Sequence, residues 1–275
     1  RNSFLTTAIL SFLALTAGAI FPAVSKTMQT SARNAFILDM STNTVLFTKE
    51  ADVETPPASM SKLMTIYMVF ERLKKGSISL DDEFPVSRKA WRKGGSKMFV
   101  LVGDKVKVSD LLRGIIIQSG NDACIVVAEA LGGTEEAFAA MMTQKARELG
   151  MENSRFANAT GWPHPDHRMS ARDLAKLTQI LVTEFPNLYK IFAETTFTYG
   201  RIKQSNRNPL LYRDVGADGL KTGHTVAAGY GLTASALRGN RRIILVLNGM
   251  KSSRQRSQES LRLLESWASP SQPGS

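Results

Sequence analysis

Short runs that alternate between apolar and polar positions lie near both ends of the chain, a pattern typical of β-strands. In residues 34–49, two apolar runs flank the turn residues 41–44, which predicts a hairpin. The C-terminal third predicts three further strands, at residues 219–223, 230–237 and 241–249. The last two are separated by a short turn, so we expect them to pair.

Between these strands, apolar residues recur with a helical period. The predicted helices are residues 59–75, 109–118, 122–131, 135–149 and 170–185, with 253–268 after the last strand. Gly76 and Gly150 follow two of these helices, and Ser170 with Asp173 has the spacing of a helix N-cap. Strands at both ends of a helical middle predict one α+β domain, residues 26–268. Its antiparallel sheet would join the N-terminal hairpin to the C-terminal strands.

The first 25 residues have the pattern of an export signal. Arg1 precedes a mostly apolar run over residues 4–19, and the small residues that follow offer two cleavage positions. A spanning helix needs about 20 apolar residues, so the run is short for one, although an uncleaved anchor remains open. We therefore expect an exported protein of the periplasm or cell envelope. Residues 269–275 predict a short disordered tail.

Composition narrows the class of protein. Of the 275 residues, 43% are hydrophobic and 21% are charged, which is typical of a globular domain. The one cysteine, Cys124, excludes an intramolecular disulfide, and we expect it to be buried as a small apolar side chain. The net charge of +11 favours contact with a polyanion. Because the charges are dispersed and no nucleic-acid module is present, an anionic membrane surface or an acidic wall polymer fits better than nucleic acid.

The first chemical motif is Ser59-Met60-Ser61-Lys62, at the predicted start of a helix. Residues three apart share one helix face, so Ser59 and Lys62 lie about one turn apart. A serine hydroxyl becomes a good nucleophile when a base takes its proton, and a lysine can be that base only when it is neutral. Burial and a second cation, for which Lys221 is the candidate, would lower the pKa of Lys62. The alternative is an N-capped helix with a surface lysine.

Two further motifs follow in order. Ser119-Gly120-Asn121 lies at a break between helices, where Ser119 would relay a proton and Asn121 would hold a substrate amide; a plain polar turn is the alternative. Lys221-Thr222-Gly223 lies on a predicted edge strand, where a peptide can dock as an extra strand and Gly223 permits its close approach. Lys221 and Thr222 suit a substrate carboxylate. The alternative is a solvated edge lysine that discourages aggregation.

These three motifs in this order are shared by penicillin-binding proteins and serine β-lactamases. Between residues 34 and 264 the chain resembles the low-molecular-mass D-alanyl-D-alanine carboxypeptidases, peptidase family S11, the group of penicillin-binding protein 5. The resemblance is carried by the segments Pro57–Thr65, Ser119–Ala123, Ser170–Asp173 and Gly219–Thr225.

The resemblance implies a penicillin-binding or β-lactamase-like transpeptidase fold and a serine-type site without metal or cofactor. Ser59 would form the acyl-enzyme, Lys62 would be its base, and the backbone N–H groups of Ser59 and His224 would form the oxyanion hole. The catalytic set is Ser59, Lys62, Ser119 and Asn121, and the substrate-binding set is Lys221, Thr222, Gly223, His224 and Arg256. We interpret the cluster of His164, Asp166 and His167 as solvated loop residues rather than as a metal site.

The implied function is a D-Ala-D-Ala carboxypeptidase that removes the terminal D-alanine from peptidoglycan stem peptides and is acylated by β-lactams. A murein endopeptidase of the same superfamily is the main alternative. A β-lactamase is less favoured because no Glu-x-x-Leu-Asn loop lies between the second and third motifs. A non-catalytic, basic wall-binding protein would leave the Ser59/Lys62 pair unexplained.

Relatives such as penicillin-binding protein 5 carry a second, all-β domain and then an amphipathic anchor. The sequence leaves room for neither after Trp267. A branch without these parts and a fragment of a longer protein are both compatible with the sequence, and peripheral membrane association stays open.

Overall fold

A five-stranded antiparallel sheet organises the chain, and the computed structural model describes residues 28–268 of it. The strands are β1 (Asn34–Asp39), β2 (Thr44–Lys49), β7 (Ala217–Thr225), β8 (Gly229–Arg238) and β9 (Arg241–Met250). Their order is β2-β1-β9-β8-β7, so the N-terminal hairpin joins the C-terminal strands through the β1–β9 pair. The predicted sheet is therefore confirmed, and β7 is an edge strand.

The helices lie between the two groups of strands, except for the last. They are α1 (Lys62–Lys74), α2 (Arg88–Arg92), α3 (Val108–Ile116), α4 (Asn121–Gly132), α5 (Glu135–Glu148), α6 (Ala171–Glu184), α7 (Pro186–Tyr189) and α8 (Ser253–Ala268). The predicted α+β class is confirmed. Two small two-stranded sheets were not predicted: β3 (Glu83–Pro85) with β4 (Lys105–Lys107), and the hairpin of β5 (Thr196–Tyr199) with β6 (Ile202–Ser205).

The sheet separates two apolar cores, because successive strand residues point to opposite faces. On β9, Ile244 and Val246 contribute to the large core under the helices, whereas Leu245 and Leu247 contribute to a smaller core with α8. Within the large core α1 is buried on all sides over its first nine residues. Cys124 lies in the same core as a free, fully buried thiol, as predicted.

The helix that begins at Ala171 has the predicted cap in a modified form. The Ser170 hydroxyl accepts a hydrogen bond of 3.1 Å from the Asp173 backbone N–H. The Asp173 carboxylate accepts instead from the Asn153 N–H, at 2.9 Å, and from the Ser154 hydroxyl, at 2.7 Å. Asp173 therefore attaches the start of α6 to the loop before it.

The predicted export signal (residues 1–25) and the predicted tail (residues 269–275) lie outside the described residues. Between residues 28 and 268, none of the helices combines the length and the apolar character needed to cross a bilayer.

Candidate active site

Ser59 lies in a tight turn that leads directly into α1. The turn is a 3-10 helix, Ala58–Ser61, and the α-helix begins at Lys62 rather than at the predicted residue 59. Ala58 has a φ of +49°, a conformation that non-glycine residues rarely adopt and that is typical of functional sites. Ser59 is half-buried and lines the cleft, directly before the buried helix α1.

Lys62 contacts Ser59 directly. Its Nζ lies 2.8 Å from Ser59 Oγ and 2.6 Å from the carbonyl oxygen of Thr160, and the residue is fully buried. The spacing of the motif therefore brings the two side chains together, as expected from one helix face. The alternative of a surface lysine is wrong because this side chain has no contact with solvent.

Burial is the main reason that the pKa of Lys62 falls, to about 8 from an ordinary value of 10.5. The charges of Arg207 and Lys93 lower this pKa further. Lys221, the cation that we expected to act on Lys62, is buried as well, and the repulsion between the two charged amines is mutual. Burial and then the charge of Lys62 hold the pKa of Lys221 well below its usual range.

The second motif begins α4. Ser119 has a φ of +64°, is buried, and its hydroxyl has no hydrogen-bond partner among the described residues. Asn121 is held at both ends: its backbone N–H donates to the Ser96 carbonyl at 2.7 Å, and its side-chain Nδ2 donates to the Gly94 carbonyl at 2.8 Å. A strained, buried serine is not what a plain polar turn predicts, so that alternative does not describe the segment.

The segment opposite the second motif is fixed by Asp122. Its carboxylate accepts hydrogen bonds from the backbone N–H groups of Met98 and Phe99, both at 2.9 Å, and of Val100 at 3.3 Å. Three donors on one buried carboxylate hold this segment against the start of α4. The segment just before it, with Gly95 and Ser96, lines the cleft.

The third motif lies on β7, directly beside the turn that carries Ser59. A Cβ atom at Gly223 would lie 3.0 Å from the Pro57 carbonyl oxygen and 3.2 Å from the Ala58 Cβ, so any larger residue would crowd the turn that carries Ser59. Lys221 is buried, and its Nζ donates to the Thr222 carbonyl at 3.1 Å. The alternative of a solvated edge lysine is therefore wrong.

His224 and Arg256 both contact the ring of Tyr230. His224 is exposed and stacks on Tyr230, with ring centroids 3.8 Å apart, and the Arg256 guanidinium lies 5.8 Å from the same ring. The charge of Arg256 lowers the pKa of Lys221, although burial is the larger cause. Arg256 thus lies near the third motif behind Tyr230, while His224 faces the cleft.

The motifs surround one cleft. It is lined by Ser59, Gly95, Ser96, Asn121, Thr160, Gly161, Trp162, Pro163, His224 and Thr225. Ser119, Lys62 and Lys221 lie beneath this lining as buried groups. A substrate in the cleft would therefore contact Ser59 directly, with the buried amines of Lys62 and Lys221 behind it.

Two parts of the site were missed by sequence reasoning. Arg207 donates to the Ser96 hydroxyl at 2.7 Å, and its charge lowers the pKa of both Lys62 and Lys221. The second missed part is the loop of residues 158–162, which supplies the Thr160 carbonyl. The signal for this loop was Asn158 beside Thr160 and Gly161, because asparagine commonly organises such turns.

The histidine cluster departs from its prediction in one residue. His164 is exposed, but His167 is buried rather than solvated. His167 Nδ1 accepts from the Ala157 N–H at 3.1 Å, its ring packs edge-on against Phe156, and burial lowers its pKa to about 3. Within residues 28–268, no group of three His, Cys, Asp or Glu residues is arranged to hold a metal ion.

The sequence profile of the D-alanyl-D-alanine carboxypeptidases, peptidase family S11, matches residues 22–252. The chain belongs to this family. It is similar to D-alanyl-D-alanine carboxypeptidase DacC of Escherichia coli, with 42% identity over 240 residues, 85% of this chain and 60% of that protein. It is also similar in structure to penicillin-binding protein 5 of Haemophilus influenzae: the TM-score is 0.84 at 37% identity, covering 86% of this chain and 71% of that one. The predicted transpeptidase fold and family are confirmed.

Two further similarities concern the endopeptidase alternative and the binding of β-lactams. The D-alanyl-D-alanine endopeptidase of Escherichia coli is 33% identical over 227 residues, 78% of this chain and 70% of that protein. Penicillin-binding protein D2 of Listeria monocytogenes, solved in its ampicillin-bound form, matches with a TM-score of 0.78 at 28% identity, over 86% of this chain and 97% of that one. The chain spans about 60% of the length of the curated carboxypeptidases it matches.

Proposed function

We propose that the protein is a serine-type D-Ala-D-Ala carboxypeptidase that removes the terminal D-alanine from peptidoglycan stem peptides. The observation that carries this proposal is the 2.8 Å contact between Ser59 Oγ and the fully buried Nζ of Lys62, whose pKa is about 8. At pH 7 about a tenth of such amines are neutral, and each neutral amine can accept the serine proton. Membership of the carboxypeptidase family supports the choice of substrate.

Acylation begins when Ser59 Oγ attacks the carbonyl carbon between the two D-alanines. Lys62 takes the hydroxyl proton, and the negative charge moves to the carbonyl oxygen, where the backbone N–H groups of Ser59 and His224 stabilise it. The C–N bond then breaks, and a proton relayed through Ser119 reaches the departing amino group. Water later attacks the ester, again with Lys62 as base, and the second product leaves.

The terminal carboxylate of the substrate is recognised at the third motif. Lys221 and Thr222 supply the charge and the hydroxyl, and Arg207 and Arg256 add positive potential. In the free protein burial and Lys62 lower the pKa of Lys221, but a bound carboxylate favours its protonated form. A proton that settles on Lys221 then lowers the pKa of Lys62. Binding of a free C-terminal carboxylate thereby increases the neutral fraction of Lys62, the proposed base. This favours a carboxypeptidase over an endopeptidase.

A β-lactamase is disfavoured by the lining of the cleft. The residues described around it include no carboxylate that could activate water for rapid deacylation. Glu135 lies under the loop of residues 158–162, where it accepts from the Ala159 N–H at 3.2 Å and pairs with Lys89. The penicillin acyl-enzyme should therefore persist. β-Lactams are accordingly proposed as covalent inhibitors, in keeping with the ampicillin-bound relative.

The location follows from the substrate. Peptidoglycan lies outside the cytoplasmic membrane, so the proposed site of action is the periplasm or cell envelope. The export pattern of residues 1–25 supports this location, and the net charge of +11 suits an anionic wall or membrane surface.

The experiment is to measure D-alanine release from a stem pentapeptide and cleavage of a D-alanyl cross-linked dimer, with Ser59→Ala as the control. We expect faster turnover of the pentapeptide and none by the variant. Preference for the dimer would favour the endopeptidase, and activity that survives in Ser59→Ala would contradict the proposal.

A further inference from the structure

One wall of the cleft carries a tryptophan with a lysine over its ring. Trp162 lines the same cleft as Ser59 and His224, yet it is 45% exposed. Lys93 Nζ lies 5.2 Å from the centroid of the Trp162 ring. An ammonium group over an indole face is a cation–π pair, which fixes the position of the charge as well as that of the ring.

The tryptophan is held rigidly from behind. The Asn158 side chain accepts from the Trp162 N–H at 3.1 Å and donates to the Trp162 carbonyl at 3.0 Å. The same Oδ1 accepts from the backbone N–H groups of Thr160 and Gly161. A half-exposed aromatic side chain on such a constrained loop is prepared for a ligand, because little conformational freedom is lost on binding.

Gly95 places the Trp162 ring next to the side chain of Asn121. A Cβ atom at Gly95 would lie 2.7 Å from Asn121 Nδ2 and 3.0 Å from the Trp162 ring, so ring and amide flank the same backbone. Asn121 is expected to hold a substrate amide, whereas Lys221 is proposed to bind the terminal carboxylate of D-alanyl-D-alanine. A ring beside Asn121, rather than beside Lys221, would face the residue that precedes D-alanyl-D-alanine.

The charge on this wall is available to a ligand. Lys93 forms no ion pair with a carboxylate anywhere between residues 28 and 268, and its contact there is the Trp162 ring. Its charge also lowers the pKa of Lys62, in addition to burial and the charge of Arg207. A flat apolar surface beside an unpaired cation suits a chain of methylene groups that ends in a carboxylate.

We infer that Trp162 and Lys93 form a subsite for the stem-peptide residue before D-Ala-D-Ala, and that the subsite selects an aliphatic side chain ending in a carboxylate. This inference rests on the proposed carboxypeptidase function. Trp162 packs on the methylene groups, and Lys93 pairs with the terminal carboxylate.

The test uses three peptides, acetyl-X-D-Ala-D-Ala, in which X is L-2-aminopimelate, its side-chain amide, or glycine. Wild type should prefer the acid to the amide by about fivefold in kcat/KM, the upper end for an accessible ion pair. Lys93→Met should abolish this preference and Lys93→Glu should reverse it. Lys97→Met is the matched control: it removes the same charge from the same segment, where Lys97 donates to the Trp91 carbonyl, and should keep the preference.

The role of Trp162 is tested with the two peptides in which the side chain of X carries no charge, the amide peptide and the glycine peptide. Wild type should favour the amide peptide over the glycine peptide, and Trp162→Ala should reduce that advantage by about tenfold, the loss expected when a few methylene groups lose their apolar contact. Trp162→Leu, which keeps an apolar side chain, should retain part of it. The rate of Ser59 acylation by benzylpenicillin, measured for every variant, reports whether the catalytic site is intact.

Equal rates for acid and amide in wild type would overturn the subsite while leaving the carboxypeptidase in place. So would an equal loss of preference in Lys93→Met and Lys97→Met, or an unchanged amide-to-glycine ratio in Trp162→Ala. If wild type is acylated by penicillin but cleaves none of the peptides, the proposed function fails and the subsite fails with it.

Discussion

The carbonyl oxygen of Thr160 accepts a hydrogen bond of 2.6 Å from Lys62 Nζ. This bond orients the amine towards Ser59, and its position depends on the loop of residues 158–162. Asn158 organises the loop by accepting from the Thr160 N–H and hydroxyl and from the Gly161 and Trp162 N–H groups. The position of the Lys62 amine therefore depends on a residue outside the three motifs.

Replacing Asn158 with alanine should slow the acylation of Ser59 by about 10²-fold, because a shift of about 1 Å in a catalytic group costs that much. The measurement is the second-order rate constant for benzylpenicillin. Asn240→Ala, at an exposed turn, is the control and should leave the rate unchanged. A rate for Asn158→Ala within about threefold of wild type, with the fold intact, would show that the loop does not position Lys62.

The pH dependence of acylation follows from the lowered pKa of Lys62. The neutral amine is the active form, so the rate should rise about tenfold per pH unit below pH 8 and level off above it. Lys62→Arg keeps the charge but cannot lose its proton, so its rate should fall by about 10²–10⁴-fold and the rise should disappear. A flat wild-type profile between pH 6 and 9 would argue against Lys62 as the base.

The sequence was sufficient to predict the sheet and the elements that carry the three motifs, because each depends on local patterning. It did not predict β5 and β6, whose connecting residues Gly200 and Arg201 both have positive φ. Such a turn is favoured in hairpins, but arginine is not one of the residues that normally indicate it.

Arg207 and Trp162 were missed for a different reason. Arg207 follows β6 and contacts the cleft through its bond to Ser96, and Trp162 lies in the space that Gly95 leaves for its ring. Both depend on contacts between segments distant in the chain. Burial of His167 has the same origin, since no local pattern distinguishes it from the exposed His164.

Lys221 is predicted to recognise the free carboxylate of the chain end. A charged hydrogen bond of this kind contributes about 1.5–3 kcal/mol, which is roughly tenfold to a hundredfold in rate if it acts in the transition state. Amidation of the terminal carboxylate should cost wild type this much in kcat/KM. Lys221→Ala should be slow on both peptides and should distinguish them far less. If wild type cleaves the amide as fast as the acid, the site does not recognise a chain end.

Mass spectrometry of the intact protein after exposure to benzylpenicillin tests most directly whether Ser59 is the acylated nucleophile. We predict the addition of one drug mass, which peptide mapping assigns to Ser59 and which persists for many minutes because the described lining of the cleft contains no carboxylate to activate water. Ser59→Ala should acquire no adduct. An adduct on Ser119, or no adduct on a folded wild-type protein, would contradict the account.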